Sequence, residues 1–339
     1  MKFFRALIAI LIAILAGISL FPGILPLETD LRLVTPFSQL VALRPWLALG
    51  FIALGVVIGV VSLLRYKIAD AGRIGSLLAV VLLLVGAAHG TVVITRGISD
   101  PAGDIAAAQA DPAAISVLTY NTLGGETSPD DIAQVVLEND VDVVVLPETS
   151  TRHGLELAAQ LERAGADFQF FDTETDPAQP EFSSTVLLVA QQLGEYRVGG
   201  TQLAAQSSIS VVPVNGSGPQ IVAVHPMAPV PGWEPQWESD ITEVYGLCSK
   251  ANGPLLVAGD FNSTADHQAA LDSTCADAGQ EAGIAGLGTW PAGYPALLGA
   301  PIDRVLHNSE SYRGVAAKLI EVGKSDHRGL LVWLVPNAA

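Results

Sequence analysis

Leu255-Leu256-Val257-Ala258-Gly259-Asp260-Phe261-Asn262 is the stretch from which the rest of the chain can be read. Four apolar residues in a row predict a buried strand, and the glycine after them marks a place where backbone passes close to a neighbour. Alternation along the strand sets Asp260 and Asn262 on one side of its carboxyl end. A carboxylate beside a neutral amide suits a hard divalent cation that shares space with a phosphate. The acid holds the metal, and the amide donates to a phosphoryl oxygen without adding charge. By itself, Gly-Asp at a strand end reads equally well as a turn, so the weight falls on what else reaches the same edge.

The 339 residues and mean hydropathy of +0.43 average two unlike regions. Through Ser99 there are 8 Lys and Arg against 3 Asp and Glu; the remainder carries 9 against 31. The first region, residues 1–99, reads as a membrane anchor, and the acidic remainder is long enough for one globular domain. Its charge repels polyanions, so nucleic acid is disfavoured as a partner, and a phosphate substrate needs local help from a metal.

Three apolar runs predict membrane-spanning helices over about 6–21, 46–64 and 74–94. The first is also signal-peptide-like, but no small-x-small cleavage pattern follows it and it reads as an uncleaved helix. Lys2 and Arg5 precede the first span, and Arg65, Lys67 and Arg73 lie between the second and third. This places both groups in the cytoplasm, with the segment around Glu28 and Asp30 outside, against Arg32 and Arg44 on that outer loop. Three crossings put the C-terminal domain on the extracytoplasmic side of the plasma membrane. His89, near the outer end of the third span, is read as a neutral, hydrogen-bonded histidine. Asp100 to Ala114 is rich in Ala, Asp and Pro and reads as a linker, so the domain is expected over 115–339.

Ile115 to Tyr120 predicts a strand that ends at Asn121. Ser128-Pro129-Asp130-Asp131 then starts a helix with an N-cap and a proline at its first position. Val141 to Leu146 is the next strand, closed by Pro147-Glu148, so Asn121 and Glu148 end neighbouring parallel strands at one edge. A helix follows from about Leu155 to Ala164, then strands over 168–171, 185–190, 209–214 and 221–224. The last ends in His225-Pro226. Gln236 to Lys250 has helical spacing; Ile302 to Leu306 and Gly329 to Val335 read as strands, the latter entered through Ser325-Asp326-His327. The pattern is an α/β sandwich. Cys248 and Cys275 pair only if geometry permits, and two thiols do not make a metal site.

Six separated motifs stand in order: Tyr120-Asn121, Pro147-Glu148, Val224-His225-Pro226, Gly259-Asp260-Phe261-Asn262, Ile302-Asp303 and Ser325-Asp326-His327. Together they resemble the endonuclease/exonuclease/phosphatase superfamily with its deoxyribonuclease-I-like fold, over about Ala114 to Val335. The three-span anchor with an external domain is similar to bacterial membrane members of that superfamily. The resemblance implies a four-layer α-β-β-α sandwich and a Mg²⁺ ion, with Mn²⁺ as the alternative. It also implies hydrolysis of a phosphate ester by in-line attack of water. It assigns Glu148 as main metal ligand with Asn121 beside it and Asp326 supporting the metal side. Asp260 and Asn262 orient nucleophile and phosphate. His327 contacts the phosphate as base or charge stabiliser, oriented by Asp303. His225 donates to the phosphate or protonates the leaving oxygen.

Elementary chemistry asks for the same groups. A pentacoordinate phosphate gathers negative charge that a cation and histidine donors stabilise in a water-poor cleft. A small or lipid-linked phosphoester ranks first as substrate; nuclease action, or ligand binding without catalysis, is the alternative. Arg304 and Arg328 either meet the phosphate or neutralise nearby carboxylates. His153, His267 and His307 read as surface or loop residues. Trp290, Trp233 and Trp237 either line a substrate pocket or pack in the core and rim.

Overall fold

Burial of apolar faces produces two packed units, Met1–Thr95 and Arg96–Ala339, in this computed structural model, which describes residues 2–25, 30–69, 72–173, 181–205 and 207–337. The first unit holds α1 (Lys2–Leu20), α2 (Phe37–Ala42), α3 (Arg44–Ala69) and α4 (Arg73–Thr95). Phe3–Leu20, Arg44–Tyr66 and Arg73–Thr95 are long and apolar enough to cross a membrane. Close packing of α3 on α4 uses small residues. A Cβ at Gly86 would lie 2.9 Å from the Ala48 carbonyl oxygen. His89 is buried and hydrogen-bonded: its Nδ1 is 3.0 Å from an Arg44 guanidinium nitrogen and its Nε2 is 3.2 Å from Ser19 Oγ. Arg44, expected on an outer loop, is instead the buried first residue of α3. Glu28 lies outside the described residues.

The second unit runs β1 (Ala102–Gly103), α5 (Ile105–Ala110), β2 (Ile115–Thr119), α6 (Pro129–Asn139), β3 (Val143–Pro147), α7 (Thr151–Arg163), β4 (Phe168–Asp172) and β5 (Thr185–Ala190). It continues with β6 (Tyr196–Val198), β7 (Ile209–Pro213), β8 (Gln220–Val224), α8 (Glu234–Tyr245), α9 (Leu247–Lys250) and β9 (Leu255–Asp260). Then come α10 (Ala265–Gln268), β10 (Cys275–Asp277), α11 (Ala278–Ala282), β11 (Asp303–Asn308), β12 (Tyr312–Ile320) and β13 (Gly329–Pro336). The strands form a seven-stranded sheet, β1-β12-β13-β2-β3-β5-β4, and a six-stranded sheet, β10-β11-β9-β8-β7-β6.

Side-chain alternation divides each strand between two cores. Val117, Val143, Val145 and Leu187 of the first sheet meet Val211, Ile221, Ala223, Leu256 and Val305 of the second in the central core. Leu118, Val144, Leu146 and Leu188 face the other way, onto Ile132, Val136, Leu157 and Leu161 of α6 and α7. On α8, Trp237, Ile241, Val244 and Tyr245 are buried. The Ser128 hydroxyl accepts from the Asp131 N–H, the cap expected from Ser-Pro-Asp-Asp.

The linker and four strands, β1, β6, β10 and β12, depart from the expectations. The supposed linker 100–114 is folded onto the domain: Ala102 pairs with Ala317, and Asp104 caps α5. Its backbone completes a sheet edge, a bond that asks nothing of its small side chains. The nine-residue β12 was not foreseen, because Arg313, Gly314 and Lys318 break its apolar run. Cys248 and Cys275 form a disulfide, Cα atoms 5.2 Å apart, joining α9 to β10.

Candidate active site

Parallel pairing brings strand ends to a common edge, and each sheet does this once. In the first, Val117 pairs with Val143 and Thr119 with Val145, so Asn121 and Glu148 emerge together. Asn121 Nδ2 donates at 3.0 Å to Glu148 Oε1 and at 3.0 Å to Asp260 Oδ2. Its Oδ1 accepts from the Leu123 N–H. Glu148 has φ of +53°, an uncommon conformation for a residue with a Cβ. Thr122 holds it there: its hydroxyl donates to the Glu148 carbonyl at 2.8 Å, and its N–H donates to the Pro147 carbonyl at 3.1 Å. Backbone strain stabilised by neighbours in this way is characteristic of functional sites.

In the second sheet β8 and β9 are parallel, with Val224 beside Gly259. Gly259 has φ of +153°, and a Cβ there would lie 1.9 Å from the Val224 carbonyl oxygen, so the position needs glycine. The pair delivers His225 and Asp260. His225 Nε2 lies 3.7 Å from Glu148 Oε1 and 3.9 Å from Asp260 Oδ2. Asn262 arrives differently from the strand alternation expected of it. The strand stops at Asp260, Asn262 takes φ of +46°, and its N–H donates to Asp260 Oδ1 at 2.8 Å. Its Nδ2 then donates to the Pro226 carbonyl at 3.0 Å, tying the turn to the His225 loop.

The two antiparallel neighbours complete the cluster. Asp303 opens β11 directly opposite Asp260, and β13 is entered through Asp326 and His327. His327 Nδ1 is 2.8 Å from Asp303 Oδ2; its Nε2 is 3.7 Å from Asp260 Oδ2 and 3.9 Å from Asp326 Oδ1. Ser325 fastens this corner, donating its hydroxyl to the Asn121 carbonyl at 2.7 Å and accepting the His327 N–H at 3.0 Å. Thr289 Oγ1 accepts the Asp303 N–H, and Trp290 Nε1 donates to Asp326 Oδ2 at 2.9 Å.

Charge dominates the electrostatics. Burial alone would lower the His327 pKa, but Asp303, Asp260 and Asp326 outweigh it and hold the imidazolium up to about 10. Burial pushes the Glu148 carboxyl up, opposed by the Asn121 amide and His225. Burial likewise raises Asp303, against the pull of His327. Glu148 Oε2, Asp303 Oδ1 and Asp326 Oδ1 are buried without a hydrogen-bond partner among the described residues. Buried orphan acceptors on several converging carboxylates fit a hard cation, which satisfies oxygen lone pairs that no donor reaches. Atoms of Asp260, Asp303 and His327 lie within 4.8 Å of one another, as for a metal. Asp303 Oδ2 is taken by His327, however, so the oxygens open to an ion are Glu148 Oε2, Asp326 Oδ1 and Asp303 Oδ1.

The structure thus gathers Asn121, Glu148, His225, Asp260, Asp303, Asp326 and His327, with Asn262 beside them. It does not gather Arg304. One step after Asp303 on the strand, Arg304 points to the opposite face, where its Nε and terminal nitrogens reach Asp277, Gln268 and the Tyr245 hydroxyl. Its expected phosphate role is therefore corrected to neutralising Asp277 at 2.8 Å. Arg328 binds Glu321 and the carbonyls of Ala292 and Tyr294. His267 and His307 are buried rather than superficial: one closes the α10 capping box, and the other lies 2.9 Å from Glu281. His153 is half-buried in the first turn of α7. Trp237 is core and donates its indole N–H to the Asn262 carbonyl. Thr122, Ser325 and Thr289 had no assigned role in the sequence; Ser325 at least stands inside a quoted motif, and Thr289 beside Trp290.

The family model described as "Endonuclease/Exonuclease/phosphatase family" matches residues 118–327. The chain belongs to this family. The matched span begins in β2 and ends at His327, so it includes every side chain of the cluster. No curated protein matches the chain in sequence. Among solved structures, human Nocturnin's catalytic domain with bound sulfate is 18% identical, with 66% of this chain and 94% of that one covered and a TM-score of 0.49. D. rerio TDP2 complexed with a single-strand DNA product is 17% identical, covering 67% and 100%, with a TM-score of 0.52. An endonuclease/exonuclease/phosphatase from Beutenbergia cavernae is 20% identical, covering 67% and 72%, with a TM-score of 0.47. At such identities the TDP2 likeness carries the fold: two mixed sheets of the deoxyribonuclease-I-like kind. As a family member, the chain is a hydrolase acting on phosphate ester bonds.

Proposed function

We propose that this family domain is a divalent-metal-dependent phosphohydrolase held at the extracytoplasmic face of the plasma membrane, acting on a small or lipid-linked phosphoester. One observation carries the reading: Glu148 presents a buried, unpartnered carboxylate oxygen across the cluster from the Asp303–His327 pair. An acid without a donor and a histidine held by a carboxylate are the two halves of metal-assisted phosphoryl transfer to water.

Glu148 would be the main ligand for Mg²⁺ or Mn²⁺, with Asp326 on the far side. Such an ion supplies charge neutralisation at the phosphoryl oxygens as negative charge gathers there. Asn121, expected from sequence as a metal ligand, instead gives its amide hydrogens to Glu148 and Asp260 while its oxygen accepts the Leu123 N–H, so its role here is to position those carboxylates. His327 is surrounded by acceptors, so Nε2 donates to a phosphoryl oxygen while Asp303 fixes the ring at Nδ1. Asp260 accepts from the attacking water and aligns it. A P–O bond forms to that water as its proton passes to Asp260, the ester P–O bond opposite breaks, and His225 gives a proton to the leaving oxygen. Asn262 keeps His225 in reach.

The orientation is supported by the basic residues Lys2, Arg5, Arg65, Lys67 and Arg73 flanking the helices, and by a Cys248–Cys275 disulfide of the kind oxidising compartments sustain. The acidic domain supports small substrates over long polyanions.

The test uses the full chain in detergent micelles, with nitrophenyl phosphodiester and monoester substrates, Mg²⁺, Mn²⁺ or chelator, and Glu148→Gln and His327→Ala beside it. Metal-dependent release lost in both variants is expected and names the ester class. Retained metal binding with no turnover on any ester, nucleic acid included, would leave a binding module. Absence of metal binding would overturn the site.

A further inference from the structure

Thr289 and Trp290 stand in the connection between α11 and β11, and that connection is fixed to the site from three sides. Thr289 Oγ1 accepts the Asp303 N–H at 3.1 Å, and the Thr289 carbonyl accepts the Arg328 N–H at 2.8 Å. Trp290 Nε1 donates to Asp326 Oδ2 at 2.9 Å. Below it, the Arg328 guanidinium donates to the Ala292 and Tyr294 carbonyls at 2.9 and 2.6 Å. The segment is a rigid bracket around His327.

Asp326 needs such a bracket. Its side chain is 45% exposed, and an open aspartate samples several rotamers. The indole N–H selects one of them. That rotamer sends Oδ1 inward, where it is buried, 3.9 Å from His327 Nε2, with no hydrogen-bond partner among the described residues.

The N–H accounts for only the edge of Trp290. The ring is 38% exposed, one side chain away from the imidazole that faces the phosphate, and Tyr294 and Leu297 on the same segment are 54% and 47% exposed. A tryptophan with its polar tip bonded and its apolar body open is a contact surface waiting for an apolar group. The cations nearest in sequence to the cluster, Arg304 and Arg328, are spent on internal partners. The open surfaces of Trp290 and Leu297 on this segment give an apolar substituent a face to pack on.

We infer that Trp290 is both a positioning and a specificity residue. Its N–H aims Asp326 at the ion, and its ring packs against an apolar organic group esterified to the phosphate. This rests on the phosphohydrolase reading above and narrows its substrate to esters of apolar alcohols, aryl or acyl-chain in type.

The experiment measures binding of non-hydrolysable phosphonates to the full chain in detergent with Mn²⁺, by calorimetry. Methyl-, hexyl- and phenylphosphonate share the anionic head and differ in the apolar part. Wild type is expected to prefer hexyl- or phenyl- over methylphosphonate by about tenfold, as a partly buried ring contact gives. Trp290→Phe keeps the ring and loses the N–H, so the preference stays and Mn²⁺ affinity falls several-fold. Asp326→Asn gives the same split. Trp290→Ala loses both, with thermal unfolding of it and of Trp290→Phe checking the fold. Phenyl over hexyl points to an aryl substituent, and the reverse to a lipid chain. Equal affinities in wild type, or a preference that survives Trp290→Ala, would overturn the inference alone. Failure of every phosphonate to bind the Mn²⁺-loaded chain would overturn the phosphohydrolase reading, and this inference with it.

Discussion

In the first sheet β2 and β3 run parallel, with β13 antiparallel beside β2; in the second β9 and β8 run parallel, with β11 antiparallel beside β9. The parallel ends deliver Asn121 and Glu148 from one, Asp260 and His225 from the other. The antiparallel strands add His327 from one and Asp303 from the other. The scaffold is the same on both sides, yet what it carries is not. Glu148 keeps 15% of its side-chain surface beside its orphan oxygen, whereas the Asp260 and Asp303 side chains keep 2% and 0%, Asp303 with an orphan oxygen of its own. The first sheet thus offers, in Glu148, a partly open carboxylate with an unpartnered oxygen; the second offers Asp260, both of whose oxygens accept amide hydrogens, and Asp303, whose Oδ2 holds His327 while its unpartnered Oδ1 is fully buried. The His327–Asp303 bond joins the two. The contrast supports the roles proposed above as a division of labour, with metal affinity assigned to the first sheet and proton and phosphate handling to the contact between them.

The largest effect should come from breaking that contact. Either His327→Ala or Asp303→Asn is expected to lower kcat by about 10²–10⁴-fold, the range for positioned acid–base groups. Because the two act as a unit, the double variant should lose no more than the worse single one. Additive losses in steady-state kinetics would show that each residue acts alone. Next in size, Glu148→Gln should weaken Mn²⁺ binding by at least the roughly 10–100-fold that loss of an outer-shell partner causes. Part of its rate should return at high Mn²⁺. A rate loss that no metal concentration relieves would move Glu148 to the proton-handling side and erase the division.

A smaller effect concerns pH. With chelator present, the His327 imidazolium is held up to about 10, against 6.5 for the free side chain. A group raised on folding stabilises fully below its unfolded pKa and loses that contribution as pH rises through the folded one. The melting temperature of the metal-free protein should therefore fall between pH 6.5 and 10, and His327→Gln should flatten that interval. A flat wild-type profile would mean that the second sheet's acids do not carry the charge assigned to them.

The strand ends were legible because a polar residue closing an apolar run is a local signal, and six such signals converge in α/β topology. That is why the convergence of Glu148, Asp260 and His327 at one edge was legible in the sequence. Of the two readings held for Arg304, alternation already favours the one the structure shows: its neighbour Asp303 faces the site, so Arg304 turns away to Asp277. His267 and His307 were not legible in the same way. Their partners are the Thr264 backbone and a glutamate 26 residues off, and sequence spacing says nothing of either burial. β1 was lost for a third reason, its pairing being carried by backbone bonds and small residues, and β12 because Arg313, Gly314 and Lys318 interrupt its apolar run.

The finest test of the division compares two turns in which a non-glycine residue takes a left-handed conformation. Glu148 has φ of +53° and its carbonyl is held by the Thr122 hydroxyl; Asn262 has φ of +46° and its carbonyl is held by the Trp237 indole N–H. Thr122→Val and Trp237→Phe each remove one donor while keeping most of the side-chain volume, a loss of about 1 kcal/mol of local hydrogen bonding. If the sheets divide the work as argued, Thr122→Val weakens Mn²⁺ binding by about fivefold and leaves kcat at saturating metal almost unchanged. Trp237→Phe does the converse, lowering kcat by a similar factor while calorimetric Mn²⁺ affinity stays put. Equal effects of both variants on both quantities would mean that the cluster relaxes as one body, and that the contrast between its two sheets is one of burial and not of role.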